Sequence, residues 1–204
     1  QPVRGNFLLR SPDLEHWEYL HPFVEDDRYT FVGDDGACPY FWPIGEGPSA
    51  RHILLFFSHM SGGQYLLGDY DAARDKFVVT YGARFNFGPS TPSGVHAPSA
   101  APDGDGGVIT IFNMNPGKPT AGWNQIMSLP RRLTVDGDAL FMEPAGDVES
   151  LRTEHQRRED VELPANADIV VEGVQGDALE LIARIAPSSA PVIELDVLCS
   201  PRGE

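Results

Sequence analysis

The stretch Arg51-His52-Ile53-Leu54-Leu55-Phe56-Phe57-Ser58 is followed, after Ser61-Gly62-Gly63, by Gln64-Tyr65-Leu66-Leu67-Gly68-Asp69-Tyr70-Asp71. The five-residue apolar run Ile53–Phe57 is strand-sized, far short of a membrane span. Glycine supplies the backbone freedom of a tight turn, so Ser61-Gly62-Gly63 reads as a hairpin connection. Lys76-Phe77-Val78-Val79-Thr80 continues the pattern as a further strand, and Phe41 to Pro43 closes the strand that precedes Arg51. Short strands spaced roughly ten residues apart and joined by tight turns predict an all-β architecture. Gly 21 and Pro 18, spread along 204 residues, favour the same reading over long helices.

Further out, Gly5–Arg10 reads as a strand, and Ser11–Leu20, opened by Ser11-Pro12, as a turn with an aromatic anchor. Residues 21–37 are acidic and loop-like. Residues 82–106 read as a long Gly/Pro/Ser loop containing Asn86-Phe87-Gly88 and His96-Ala97-Pro98-Ser99, and loops of that length are usually functional. Gly107–Phe112 is a strand, and Asn113–Gly122 a polar loop. Arg131–Val135 and Ala139–Met142 form a hairpin about the turn dipeptide Asp136-Gly137. The charged segment 148–160 reads as a short helix or a linker. Beyond it, 167–174, 178–185 and 192–199 alternate apolar with polar residues, as half-exposed antiparallel strands do. Three strands cannot close a sandwich, so a second β domain is expected to begin near residue 160 and to be cut short.

A formal net charge of −15 argues against a nucleic-acid partner, whose phosphates call for Lys and Arg, and against an anionic membrane surface. At 41% hydrophobic residues the chain has material for a real core. The N-terminus shows no basic region followed by an apolar core, and it starts at Gln1 without Met. Cys38 and Cys199 lie far apart and read as two free thiols. The six histidines, at 16, 21, 52, 59, 96 and 155, lack metal-ligand spacing. Asp103-Gly104-Asp105-Gly106 lacks the later glutamate of a calcium loop and reads as a plain turn. No metal or cofactor is expected.

Asp34-Asp35-Gly36-Ala37-Cys38-Pro39-Tyr40-Phe41-Trp42-Pro43 carries the densest chemistry: two carboxylates, a thiol and three consecutive aromatics. It reads as a strand leading out of an acidic turn. Aromatic faces beside carboxylates suit sugar rings, which makes a carbohydrate the expected partner. Cys38 has no nearby basic group to activate it as a nucleophile and reads as a buried thiol. Phe41 and Trp42 are candidate sugar platforms, though neighbouring strand residues face opposite ways and one of them suits the core.

Several motifs together resemble glycoside hydrolase family 32, the invertase, inulinase and levanase group. Ser11-Pro12-Asp13-Leu14 with Trp17 is similar to the family's S-x-D-L-x-x-W strand end. Leu66–Asp71 followed by Phe77 is similar to its G-x-Y-D…F blade motif, and Gly122-Trp123 through Ser128-Leu129-Pro130-Arg131-Arg132-Leu133 to G-W-x-x-x-x-S-L-P-R-x-L. The resemblance runs over most of residues 10–155. It implies a partial five-bladed β-propeller over 1–155, later blades of a catalytic domain, followed by the first strands of a β-sandwich over 156–204. It implies hydrolysis or transfer at β-fructosyl linkages in the full-length parent.

The family's nucleophile motif N-D-P-N-G and its R-D-P motif do not occur in this chain. Its third motif, E-C-P-D, aligns with Ala37-Cys38-Pro39-Tyr40, so Ala37 stands where the resemblance puts the acid/base glutamate. A retaining glycosidase needs two carboxyl groups roughly 5 Å apart, and alanine titrates nothing. Three explanations stay open: a sugar-binding paralogue that does not cleave, a substitute carboxylate, or an alignment off by a few residues. Asp35 is the candidate substitute acid, because residues two apart in a strand share a face; Asp34-Asp35-Gly36 is equally a turn sequence. Cys38, Tyr40, Phe41, Trp42, His96 and Trp123 are the candidate substrate-binding residues. Asp69 and Asp71 read as hydrogen bonders that stabilise a blade. This chain alone is expected to be inactive, and its open strand edges favour self-association.

Overall fold

A computed structural model describes residues 6–85, 94–115, 117, 119–176 and 178–197. Asn86-Phe87-Gly88 and Cys199 lie outside these. The chain divides into two compact units, residues 1–146 and 147–204.

The first unit is built of antiparallel sheets. Strands β1 (Phe7–Arg10) and β2 (Glu18–Pro22) form a two-stranded ribbon. A five-stranded sheet follows, from β3 (Val24–Glu25), β4 (Ala37–Ile44), β5 (Arg51–Ser58), β6 (Gly62–Asp71) and β7 (Lys76–Arg84), in the order β3-β7-β6-β5-β4. Strands β4 to β7 are an antiparallel meander, and β3 pairs parallel with β7. A second five-stranded sheet holds β8 (Gly94–Pro102), β9 (Val108–Asn115), β10 (Ile126–Met127), β11 (Arg131–Asp136) and β12 (Ala139–Pro144). Here β8 runs along one edge of β9, while the short β10 and the longer β11 share the other edge. Each sheet thus contains four antiparallel strands in succession, β4 to β7 in one and β12-β11-β9-β8 in the other, the form of a propeller blade.

The apolar run in β5 needed no alternation because β5 is covered on both faces. Ile53 and Leu55 join Ile44, Leu67, Val108 and Leu133 in one buried cluster, which ties the two sheets together. Leu54 and Phe56 point the other way, with Phe23, Leu66, Phe77 and Val79, and Leu8 of β1 packs there. A sheet sandwiched between neighbours buries both faces, so its central strand reads as continuously apolar. Polar ties add register between the sheets: the Trp42 indole N–H donates to the Ala100 carbonyl at 3.1 Å, and the Gly45 N–H to the Gly106 carbonyl at 2.7 Å.

The family-like motifs do local structural work. Asp13 accepts the backbone N–H groups of Glu15 (2.9 Å) and His16 (2.8 Å) and the His16 ring, which lower its pKa to about 2. Trp17 closes that turn by donating to the Leu14 carbonyl. Tyr70 donates to Asp75 at 2.6 Å, and Asp71 caps the β6–β7 turn by accepting from Ala73 and Arg74. In the third motif Ser128 exchanges bonds with the Phe112 backbone, and Arg132 is held by Asp103 at 2.6 Å. Asp103 also accepts the N–H groups of Asp105 and Gly107, so residues 103–106 are a turn tied by its own aspartate.

Four expectations need correction. Residues 18–22 and 24–25 are strands rather than turn and loop. Residues 94–102 of the expected long loop are β8, paired along β9; its Pro98 and Pro102 disguised it, and both fall at positions an edge strand tolerates. The β5–β6 connection is His59–Ser61, since Gly62 already pairs with Ser58. In the second unit, residues 148–151 are a single 3-10 turn capped by Asp147. Beyond it the described residues 152–197 hold no strand, although strands were expected over 167–174, 178–185 and 192–199. Their apolar side chains, such as Val170 and Ile182, are exposed. Alternating strands hold only when a second layer covers the apolar face.

Candidate functional site

The site is made by two irregularities side by side. In β4, Ala37 pairs with Phe57 but Tyr40 pairs with Leu55, so one extra residue is squeezed in at Cys38-Pro39. Proline cannot donate to a ladder, and it keeps the preceding residue out of the right-handed helical region. Pro39 biases its predecessor toward extended backbone, yet Cys38 takes φ +51°, a conformation that a side-chain-bearing residue adopts only where its surroundings enforce it. In β8 the same event recurs: Val95 pairs with Met114 but Pro98 with Phe112. Such bulges bend a strand and re-aim its side chains, and they collect next to active sites.

Between the bulges lies an open pocket of about 480 Å³. Cys38, Pro39 and Tyr40 line it from β4, and Ala97, Pro98 and Ser99 from β8. Asn113 of β9 and Met127 of β10, which are partners in the ladder, complete it. The Asn113 amide is held by Gln125, which it donates to. The polar groups on offer are two hydroxyls, an amide and a thiol, and no charged side chain is among the described lining residues. In a chain of net charge −15 that neutrality is selective. It suits a neutral, hydroxyl-rich ligand whose C–H faces can rest on Tyr40 and Met127.

Of the candidate substrate-binding residues, Cys38 and Tyr40 line the pocket. Cys38 is exposed rather than buried, because the bulge turns it out of the sheet. Phe41 and Trp42 are off the lining. Phe41 sits in an aromatic cluster with Phe23 (centroids 4.9 Å apart), Phe77 (5.0 Å) and the stacked His52 ring (5.0 Å). Burial lowers the His52 pKa, which Asp69 partly offsets. Trp42 packs against the cluster that joins the two sheets. Neither is placed to stack on a ligand in this pocket. His96 is in β8 rather than a loop, half-buried against Phe57 at 4.6 Å and off the pocket lining. Trp123 is exposed and also off that lining.

Asp35 is not among the lining residues either. Its carboxylate accepts the His59 backbone N–H at 2.8 Å and meets the His59 Nδ1 at 2.7 Å. Partial burial raises its pKa, but the His59 bonds outweigh that and leave it lowered. A carboxyl held ionised in this way is a poor proton donor at neutral pH. Asp34 is buried and accepts from Ser58 (2.7 Å), Ser61 and the Phe31 N–H (2.8 Å); desolvation is again outweighed, and its pKa is lowered.

Sequence reasoning missed Ala97, Pro98, Ser99, Asn113 and Met127. One signal was present: Ala97-Pro98-Ser99 repeats the order small residue, proline, hydroxyl residue seen in Cys38-Pro39-Tyr40. Asn113 and Met127 carried none, since only the pairing of β10 with β9 brings them in.

The glycosyl hydrolases family 32 N-terminal domain matches residues 4–144. A levanase of Bacillus subtilis is 24% identical over 211 residues, covering 90% of this chain and 30% of the levanase. A fructan 1-exohydrolase of Bromus pictus is 25% identical over 194 residues, covering 82% of this chain and 31% of its own length. The chain thus spans less than a third of either relative. Among solved structures, the Bombyx mori family 32 β-fructofuranosidase aligns with a TM-score of 0.56 at 24% identity, over 72% of this chain and 33% of that one. A mutant of that enzyme in complex with sucrose aligns with the same TM-score at 23% identity. These likenesses show the fold, a partial β-propeller. The family match covers the whole two-bulge unit, and the chain belongs to glycoside hydrolase family 32.

Proposed function

We propose that this chain is the pocket-bearing part of a longer protein acting on β-fructosyl linkages, by hydrolysis or transfer. The observation that carries the reading is the neutral pocket built by the Cys38-Pro39 bulge, at the place where the resemblance puts the family's third motif. The levanase, the fructan exohydrolase and the sucrose-bound relative support a fructoside as ligand. Tyr40, Ser99 and Asn113 would hold sugar hydroxyls, and Met127 would rest on the ring. The catalytic carboxylates would come from outside residues 1–204. Incubating the full-length protein with sucrose, inulin and levan, and measuring free fructose, tests the reading; no release from any of them counts against an enzyme.

A second reading, a carbohydrate-binding protein that does not cleave, is favoured by one observation. Ala37 stands where the resemblance puts the family's glutamate, and no carboxylate is among the described lining residues. Fructoside binding in calorimetry without fructose release selects it. We propose too that residues 156–204 supply the first strands of a β-sandwich that order when the rest of that sheet is present. Gain of β signal in circular dichroism on lengthening the chain at its C-terminal end tests this.

A further inference from the structure

Two residues singled out by the sequence, Asp35 and His96, are off the pocket lining, yet one chain of contacts joins them. Asp35 grips His59 at two points, the backbone N–H and the ring Nδ1. The His59 ring lies edge-on to Phe57, with centroids 4.9 Å apart. Phe57 also meets the His96 ring, with centroids 4.6 Å apart. Phe57 is the ladder partner of Ala37, the last paired residue before the β4 bulge. His96 lies inside the β8 bulge, between Val95 and Pro98. A second contact runs beside the first. A Cβ on Gly63, just after the hairpin turn, would lie 3.0 Å from a Val95 methyl and 3.3 Å from the His96 carbonyl. The two strand ends that flank the turn of His59, Phe57 in β5 and Gly63 in β6, thus meet the β4 and β8 bulges.

We propose that His59, held by Asp35, is the positioning residue of the pocket: it sets the spacing of the β4 and β8 bulges, and through them the places of Cys38, Tyr40 and Ser99. Its affinity consequence rests on the reading of the pocket as a fructoside site; its structural consequence does not. His59 is exposed, so its removal opens no core cavity. Its two bonds to Asp35 lock the turn that would otherwise let the Phe57 ring and both bulges shift.

The test uses the full-length protein and two readouts. One is the rate of Cys38 alkylation by iodoacetamide, followed by mass spectrometry of the peptide carrying residue 38, so that Cys199 is scored apart. The other is the affinity for sucrose. His59→Ala is expected to raise the alkylation rate about threefold or more, since thiol reactivity follows its surroundings. It is expected to weaken sucrose binding roughly tenfold, because small misplacements of a site are costly. The melting midpoint should stay within about 4 °C of wild type, as for an exposed substitution. His59→Asn, which keeps a donor nitrogen near the Nδ1 position, is expected to restore both readouts. Asp35→Ala, which removes the acceptors without touching the turn, gives the same test should His59→Ala fail to fold. An unchanged alkylation rate, or no rescue by asparagine, overturns the proposal. So does unchanged affinity in a protein that binds sucrose. If the wild-type protein binds no fructoside but alkylation responds as stated, the positioning role stands and the fructoside reading falls.

Discussion

Asp34 shows how one residue in the acidic turn can be structural while its neighbours suggest chemistry. The residue is 6% exposed, and its carboxylate takes bonds from two hydroxyls and a backbone N–H. Because its pKa is lowered, its contribution to stability is present above the ordinary carboxylate range and is lost as pH falls through the lowered value. Asp34→Asn is therefore expected to unfold less steeply on acidification below about pH 4, followed by tryptophan fluorescence. Asp34→Ala would strand the Ser58 and Ser61 hydroxyls and should cost about 1–3 kcal/mol at neutral pH in urea unfolding. Gly68 makes a steric point. A Cβ there would lie 2.1 Å from the Val78 carbonyl oxygen, beside the irregularity where β6 and β7 shift register. Gly68→Ala should destabilise by about 1–3 kcal/mol, read from the same unfolding curves.

At the scale of the element, the central question is which way each strand faces. Strand β4 read correctly from sequence, since Pro39 and Pro43 fit an edge and the aromatics fit a strand. Its facing did not. The extra residue at the bulge moves Cys38 and Tyr40 to the pocket and leaves Phe41 and Trp42 for the two cores, one on each side of the sheet. Trp42→Phe should therefore cost about 1 kcal/mol through the lost bond to Ala100 and leave fructoside affinity unchanged, as measured by chemical unfolding and calorimetry. A tenfold affinity loss would return Trp42 to the binding site. Leu67, fully buried where the two sheets meet, should lose about 2–5 kcal/mol on truncation to alanine in the same unfolding assay. Strand β8 was illegible for a complementary reason. Ala97-Pro98-Ser99-Ala100-Ala101-Pro102 has no apolar alternation, and its pairing is imposed by β9.

On the scale of the molecule, two blade-like sheets and a ribbon leave apolar surface open. Phe7, Leu9 and Tyr19 on the ribbon and Phe141 and Met142 on β12 are exposed. Flat strand edges and apolar patches of this kind recruit partners. Residues 1–204 expressed alone are expected to elute from size-exclusion chromatography as oligomers; a monomer with one cooperative unfolding transition would contradict this. The sequence by itself determined the all-β class, most strand positions, the turn chemistry of Asp13, Asp71 and Asp103, and the family. These rest on local patterns, such as apolar runs, glycines and self-bonding aspartates, that need few distant contacts to be expressed. It also determined that Ala37 cannot transfer a proton, because that is a matter of residue type alone. Only the tertiary structure decided that Asp35 serves His59, that Phe41 and Trp42 are core, and that Ser99, Asn113 and Met127 share a pocket with Cys38. A one-residue bulge reverses facing, and pairing between strands far apart in sequence sets who meets whom.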